Sequence, residues 1–158
     1  MIVRDVEEKD VGDILLLIQA KAEFDGCLDA LKSTEAEIHD AFLSPDRKAR
    51  AVVAEINGEV VGIATYYSIY STFIAKPGIW LDDLYVYKEY RKLKVGKALL
   101  KYLCNVALEA GCGRIDWIVA TDNDNGRGFY ESLGAQIFED VRHSRLDEHA
   151  IYKLASNA

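Results

Sequence analysis

Apolar residues recur at helical spacing over Val11–Phe24, where Ile14, Leu15, Leu17, Ile18 and Ala22 form one stripe and Gly26 ends the pattern. A second helix is expected from the Ser33-Thr34-Glu35-Ala36-Glu37 run to about Phe42. Either Ser33 or Thr34 can cap it, Thr34 with Glu37 as a capping box, and Pro45 follows as a stop. Ile2–Arg4 reads as a short strand. Ala51–Ile56 and Val60–Tyr70 read as strands joined at Asn57-Gly58, a strong hairpin signal. Pro77-Gly78 turns into a further strand over Ile79–Tyr87. Val95, Leu99, Leu100 and Leu103 then set a helix from Val95 to Ala110, closed by Gly111. Arg114–Val119 is a buried-looking strand, Gly126–Leu133 a short helix stopped by Gly134, and Ala135–Phe138 and Val141–Leu146 close as strands. The order β-α-α-β-β-β-α-β-α-β-β predicts one three-layer α/β domain over residues 1–158, its antiparallel start leading to a parallel centre.

The most informative junction is the one between the strand ending at Tyr87 and the helix beginning at Val95. A strand there feeds a polar turn containing Arg91, Lys92 and Lys94, with Lys97 one turn into the helix. The first backbone N–H groups of a helix lack internal acceptors and carry partial positive charge, so this turn is a place for an anion. Gly96 lets a diphosphate approach the backbone. The pattern is neither GxxxxGK[ST] nor GxGxxG.

Bulk properties narrow the classes. The chain has 158 residues, half of them apolar, and a formal charge of −7, with a pI of about 5.0. That balance argues against general nucleic-acid binding and is compatible with a cationic substrate. Cys27, Cys104 and Cys112 are odd in number and form no CxxC pair, which suits a reducing cytoplasm. No apolar run approaches the ~18–20 residues of a membrane span, and MIVRDVEEKD has no signal-peptide core. His39, His143 and His149 share no ligand spacing with one another or with the cysteines, so no metal site is expected.

Two segments together carry a family resemblance. Arg91-Lys92-Leu93-Lys94-Val95-Gly96 is similar to the pyrophosphate loop Gln/Arg-x-x-Gly-x-Gly/Ala of the GCN5-related N-acetyltransferase (GNAT) superfamily. Asn123 followed by Phe129-Tyr130-Glu131-Ser132-Leu133-Gly134-Ala135 resembles its second signature. The resemblance extends over essentially the whole chain. Ala64–Phe73 with Gly78–Val86, and Lys21-Ala22-Glu23-Phe24-Asp25, look like its diamine/polyamine branch, which includes spermidine/spermine and thialysine acetyltransferases. Lys94 and Lys92 stand where that loop commonly has glycine. A positive φ at Lys94 would strain a residue with a Cβ, whereas a helical φ would make it harmless.

The resemblance implies a central mixed, twisted sheet of about seven strands with helices on both faces. It also implies acetyl-CoA as co-substrate and direct acetyl transfer to the primary amine of a small cationic substrate: a diamine, a polyamine or a lysine-like amine. Alternatives are another amine, such as an aminoglycoside or a protein lysine, and a catalytically silent acyl-CoA-binding domain. Asp82 matches the carboxylate at the substrate amine and serves as base or relay. Asp83 is the alternative; adjacent strand residues point to opposite faces unless a bulge intervenes. Tyr130 matches the tyrosine that protonates the departing thiolate, a role suited to a phenol of ordinary pKa near ~10.

Leu84, Tyr85 and Val86 would offer backbone groups to the pantetheine arm as an added strand does. Arg91, Lys92, Leu93, Lys94, Val95, Gly96 and Lys97 would hold the diphosphate, and Asn123, Asn125, Gly126 and Tyr130 would line the other cofactor edge. Phe24 and Asp25 would hold a distal cation, with Glu139 adding negative potential. Ser71 and Phe73 replace the branch's Asp-x-Trp, which removes a carboxylate and favours short diamines or lysine-like amines over long polyamines. A homodimer is expected, with Val141–Leu146 contributing.

Overall fold

The hairpin at Asn57-Gly58 organises the sheet. Both residues have positive φ, 53° and 86°, the combination that a two-residue type I′ turn demands and that Asn-Gly supplies with little strain. The turn joins β2 (Arg50–Ile56) to β3 (Glu59–Ser71). β1 (Ile2–Asp5) pairs antiparallel with β2, and β4 (Lys76–Val86) pairs antiparallel with β3. β5 (Ile115–Asp116) adds to β4 in parallel, giving the order β1-β2-β3-β4-β5. The computed structural model describes residues 1–156, in two compact units, residues 1–118 and residues 119–156.

Helices cover both faces of the sheet in the first unit. α1 (Val11–Phe24) and α2 (Glu35–Phe42) lie on one face, where Ile14, Leu17 and Ile38 pack with Ala51, Val53, Val60 and Ile63. Thr34 caps α2, and the reciprocal bonds of the capping box with Glu37 are both present. α3 (Val95–Glu109) lies on the other face and buries Val95, Leu99, Leu100, Leu103 and Ala107. It sits tight against the sheet because Gly62 has no side chain. A Cβ there would come within 3.0 Å of the Tyr85 carbonyl oxygen and 3.3 Å of Val95 Cγ1. Gly111, at φ 65°, follows the end of α3 as expected.

The second unit holds α4 (Asp124–Ser132) and α5 (Glu148–Ser156). Its strands differ from the sequence expectation. Neither Ala135–Phe138 nor Val141–Leu146 is a strand, so the sheet has five strands among the described residues rather than about seven. Phe138, Val141 and Leu146 are 60%, 68% and 56% exposed. Alternating residues form a strand only when a ladder holds them, and no strand pairs with either segment among the described residues. α5 is absent from the sequence reading although its start is signalled. Asp147 accepts the Ala150 N–H through Oδ1 at 2.8 Å, an N-cap interaction. The strand expected over Arg114–Val119 shortens to two residues.

Candidate active site

A bulge between β3 and β4 shapes the acid pair. Thr65 pairs with Asp83 and Tyr66 pairs with Leu81, which makes Asp82 the extra residue. Strict alternation would send Asp82 and Asp83 to opposite faces, but the bulge turns both into the lining of one cavity of about 440 Å³. Lys32, Glu37, Tyr66 and Tyr67 line it as well. Burial, and then the charge of Asp82, push the Tyr67 phenol above its ordinary pKa.

Asp83 is fixed from two sides. The Thr65 hydroxyl donates to Asp83 Oδ2 at 3.0 Å, and the Asp83 N–H donates to Thr65 Oγ1 at 3.0 Å. Lys21 Nζ lies 3.1 Å from Asp83 Oδ1 and also donates to Asp25 Oδ2. Burial lowers the Lys21 pKa, but the hydrogen bond to Asp25 and the charges of Asp83 and Asp25 outweigh it, leaving the ammonium above its ordinary value. Lys21 thus bridges two of the acids that the sequence offers to a substrate. The sequence reading includes Lys21 only within the Lys21–Asp25 run; its i,i+4 spacing to Asp25 is the signal that finds the first half of the bridge.

β4 has an open edge beside this cavity. β5 pairs only with Ile79 and Trp80, and no strand covers Leu81–Val86 on that side among the described residues. Tyr87 N–H donates to the Val61 carbonyl. Backbone groups alternate in direction along a strand, so Tyr85 also points toward β3, while Leu84 and Val86 point to the open edge. Of the three residues expected to offer backbone groups there, Leu84 and Val86 direct theirs to that edge, where the Val86 carbonyl accepts from Arg91, and Tyr85 does not. The Tyr85 ring packs against the core on the α1 side.

Past β4, a single 3-10 turn over Lys88–Tyr90 leads into the basic turn. Lys92 and Lys94 adopt φ of 67° and 64°, so the left-handed alternative holds at both positions. Lys94 is the N-cap of α3, and its carbonyl accepts the Ala98 N–H at 3.0 Å. Left-handed residues interleaved with others form a concave arrangement of N–H groups suited to anions. Leu93, Lys94 and Lys97 are exposed, Val95 is buried and Gly96 is half-buried. The Arg91 side chain turns back from this loop. Its Nε donates to the Val86 carbonyl at 3.0 Å, and its Cζ lies 4.9 Å from the Phe24 ring centroid and 5.5 Å from that of Tyr85. Phe24, expected to face a substrate cation, faces an internal one.

In the second unit, Asn123 caps α4 by accepting the Gly126 N–H through Oδ1 at 2.9 Å. Asn125 and Gly126 lie in the first turn of α4, and Tyr130 is half-buried on its last turn with its ring 5.2 Å from that of Phe129. Glu139 is ion-paired with Arg127 Nη2.

Comparison with known proteins follows the same direction. The profile described as "Acetyltransferase (GNAT) family" matches residues 17–135. The thialysine N-epsilon-acetyltransferase of Sus scrofa is 32% identical over 166 aligned residues, covering 98% of this chain and 97% of that protein. The L-ornithine N5-acetyltransferase NATA1 of Arabidopsis thaliana is 36% identical over 108 residues, covering 68% of this chain; the chain spans about half its length, 47%. Among solved structures, an integron cassette protein from the mobile metagenome of V. cholerae superposes with a TM-score of 0.79 at 22% identity. That match covers 98% of this chain and 97% of that one, and it bears on the fold alone.

Proposed function

The chain belongs to the acetyltransferase (GNAT) family, and from that membership we propose that it transfers the acetyl group of acetyl-CoA directly to the primary amine of a small cationic substrate. The relatives named for thialysine and L-ornithine act, by those names, on small amines, and the acid-lined cavity of this chain suits an alkylammonium.

The residues present fit the co-substrate. Leu84 and Val86 face the open edge of β4, where an extended pantetheine arm can pair as a strand does. The left-handed turn at Lys92 and Lys94 and the first amides of α3 suit a diphosphate, with Lys97 adding charge. Acetyl-CoA, when bound, supplies an activated acetyl thioester. The single observation that carries the reading is the continuity of β4. One strand holds the bulged acid pair, exposes its edge just beyond, and runs on toward the anion turn.

An alkylammonium with a pKa near ~10.4 is not nucleophilic at neutral pH and must lose a proton first. Asp82 is assigned as base or relay, acting through water, since a carboxylate by itself is a weak base for an ammonium. Asp83 holds position through Thr65 and Lys21. The N–H at Leu84 is assigned to the oxygen charge that develops as the acyl carbon is attacked. Tyr130 is assigned as the acid for the departing thiolate, an assignment that rests on the family signature. The enzyme is expected to work in the cytoplasm as a homodimer.

One observation favours the second reading, a silent acyl-CoA-binding domain: Lys92 and Lys94 stand in left-handed positions where the family's loop commonly has glycine. Thiol release from acetyl-CoA, measured with a panel of diamines, polyamines, thialysine and lysine, separates the two. Amine-dependent release that falls at least ~10-fold in Tyr130→Phe supports transfer. Binding of CoA without release from any amine supports the silent domain.

A further inference from the structure

The acidic residues that could recognise a second ammonium on the substrate already hold a cation. Asp25 and Asp83 share Lys21, whose side chain is only 22% exposed. Phe24, the aromatic neighbour of Asp25, lies under the Arg91 guanidinium. Four charged side chains line the cavity. Asp83 is held by Lys21, and Glu37 is held by the cap of α2, where its Oε2 accepts from the Thr34 N–H at 2.7 Å and from the Thr34 hydroxyl at 2.9 Å. Asp82 and Lys32 line it as well, with Ser33 beside the lysine.

We infer that Lys21 is a specificity-determining residue. Its ammonium, held between Asp25 and the cavity-lining Asp83, takes the partner that the second ammonium of a diamine would need, and it turns the acceptor site toward amines that also carry a carboxylate. The inference rests on the acetyl-transfer reading and narrows its substrate class.

Two charges on the substrate make the difference. A dication entering this cavity would bring its second ammonium toward Lys21 and would have to displace it from two carboxylates to find a partner. A charge pair that is partly desolvated and hydrogen-bonded resists such exchange, and like charges brought together oppose binding. A diamino acid presents one ammonium to Asp82, while its carboxylate can meet Lys32 and the Ser33 hydroxyl. The hydrogen bond to Asp25 and the charges of Asp83 and Asp25 outweigh burial and raise the Lys21 pKa above its ordinary value, so the bridging cation is present at neutral pH.

The test uses a matched pair, lysine and cadaverine, which share the five-carbon primary amine and differ by one carboxylate. Thiol release from acetyl-CoA gives kcat/KM for each with the full chain. The native enzyme is expected to prefer lysine. Lys21→Met is expected to move the lysine-to-cadaverine ratio toward cadaverine by about tenfold or more, while Lys21→Arg, which keeps the bridging charge, keeps the native ratio. Lys21→Gln gives the same comparison as a second neutral variant should the methionine variant not fold. An unchanged ratio in a folded, active neutral variant overturns the inference and leaves the transfer reading standing, as does a native preference for cadaverine. If the native chain transfers to no amine while binding CoA, the transfer reading itself falls and this inference falls with it.

Discussion

Lys94 carries a conformation and a charge that can be separated. At φ 64° its Cβ crowds the backbone, a strain of about 1 kcal/mol that glycine would relieve. Lys94→Gly should therefore raise Tm, whereas Lys94→Ala keeps the strain and loses the charge. Both should weaken CoA binding about threefold to tenfold at low ionic strength, and the loss should shrink as salt is added. A lower Tm in Lys94→Gly would contradict this account. Asp10 supplies a pH test. It is 1% exposed and is held by the Arg4 fork at 2.6 and 2.9 Å and by the Glu7 N–H at 2.8 Å. Burial raises its pKa, but these bonds, led by Arg4, outweigh it and leave the carboxyl below its ordinary value. A depressed carboxyl stabilises the fold above its unfolded pKa, near ~3.9, and that contribution disappears as pH falls through the folded value. Asp10→Asn should cost about 2 kcal/mol at neutral pH, with Arg4 keeping Glu55 as a partner, and should flatten the acid limb of the stability curve. Urea melts at pH 3 to 7 measure both. At this scale the sequence identifies Asp82 and Asp83 as candidates but not their shared cavity, because a bulge is set by pairing across strands.

Elements with strong local signals form where the sequence puts them. α1 runs over Val11–Phe24 as its apolar stripe predicts, Thr34 rather than Ser33 takes the cap of α2, and Asn57-Gly58 makes its turn. These features depend on residues close together in the chain. The expected late strand over Val141–Leu146 does not form because its alternation has no ladder behind it, and α5 has no core stripe to signal it, its apolar residues Ile151, Tyr152 and Leu154 staying exposed. The start of α4 gives a test of local design. A Cβ at Gly126 would lie 2.6 Å from Asn123 Nδ2, against the side chain that caps the helix. Gly126→Ala should break that cap and cost about 1 kcal/mol, although alanine is otherwise the better helix former. Thermal melts of Gly126→Ala and of Asn123→Ala should show similar losses. A stabilised Gly126→Ala would mean that the cap is dispensable.

For the molecule as a whole, the central claim is that one continuous strand, β4, joins an acid-lined amine cavity to an edge and an anion turn for an acyl thioester. The family was legible from the Arg91–Gly96 and Asn123–Ala135 segments, since these motifs are local. Lys21 was not, because its partners Asp25 and Asp83 come from different elements and its effect appears only when α1 packs on the sheet. The most direct measurement is the release of free thiol from acetyl-CoA by the purified chain as small amines are added. The account predicts saturable release that requires both acetyl-CoA and an amine, and that drops sharply in Asp82→Asn. Release that no amine accelerates, or that Asp82→Asn leaves unchanged, would contradict it.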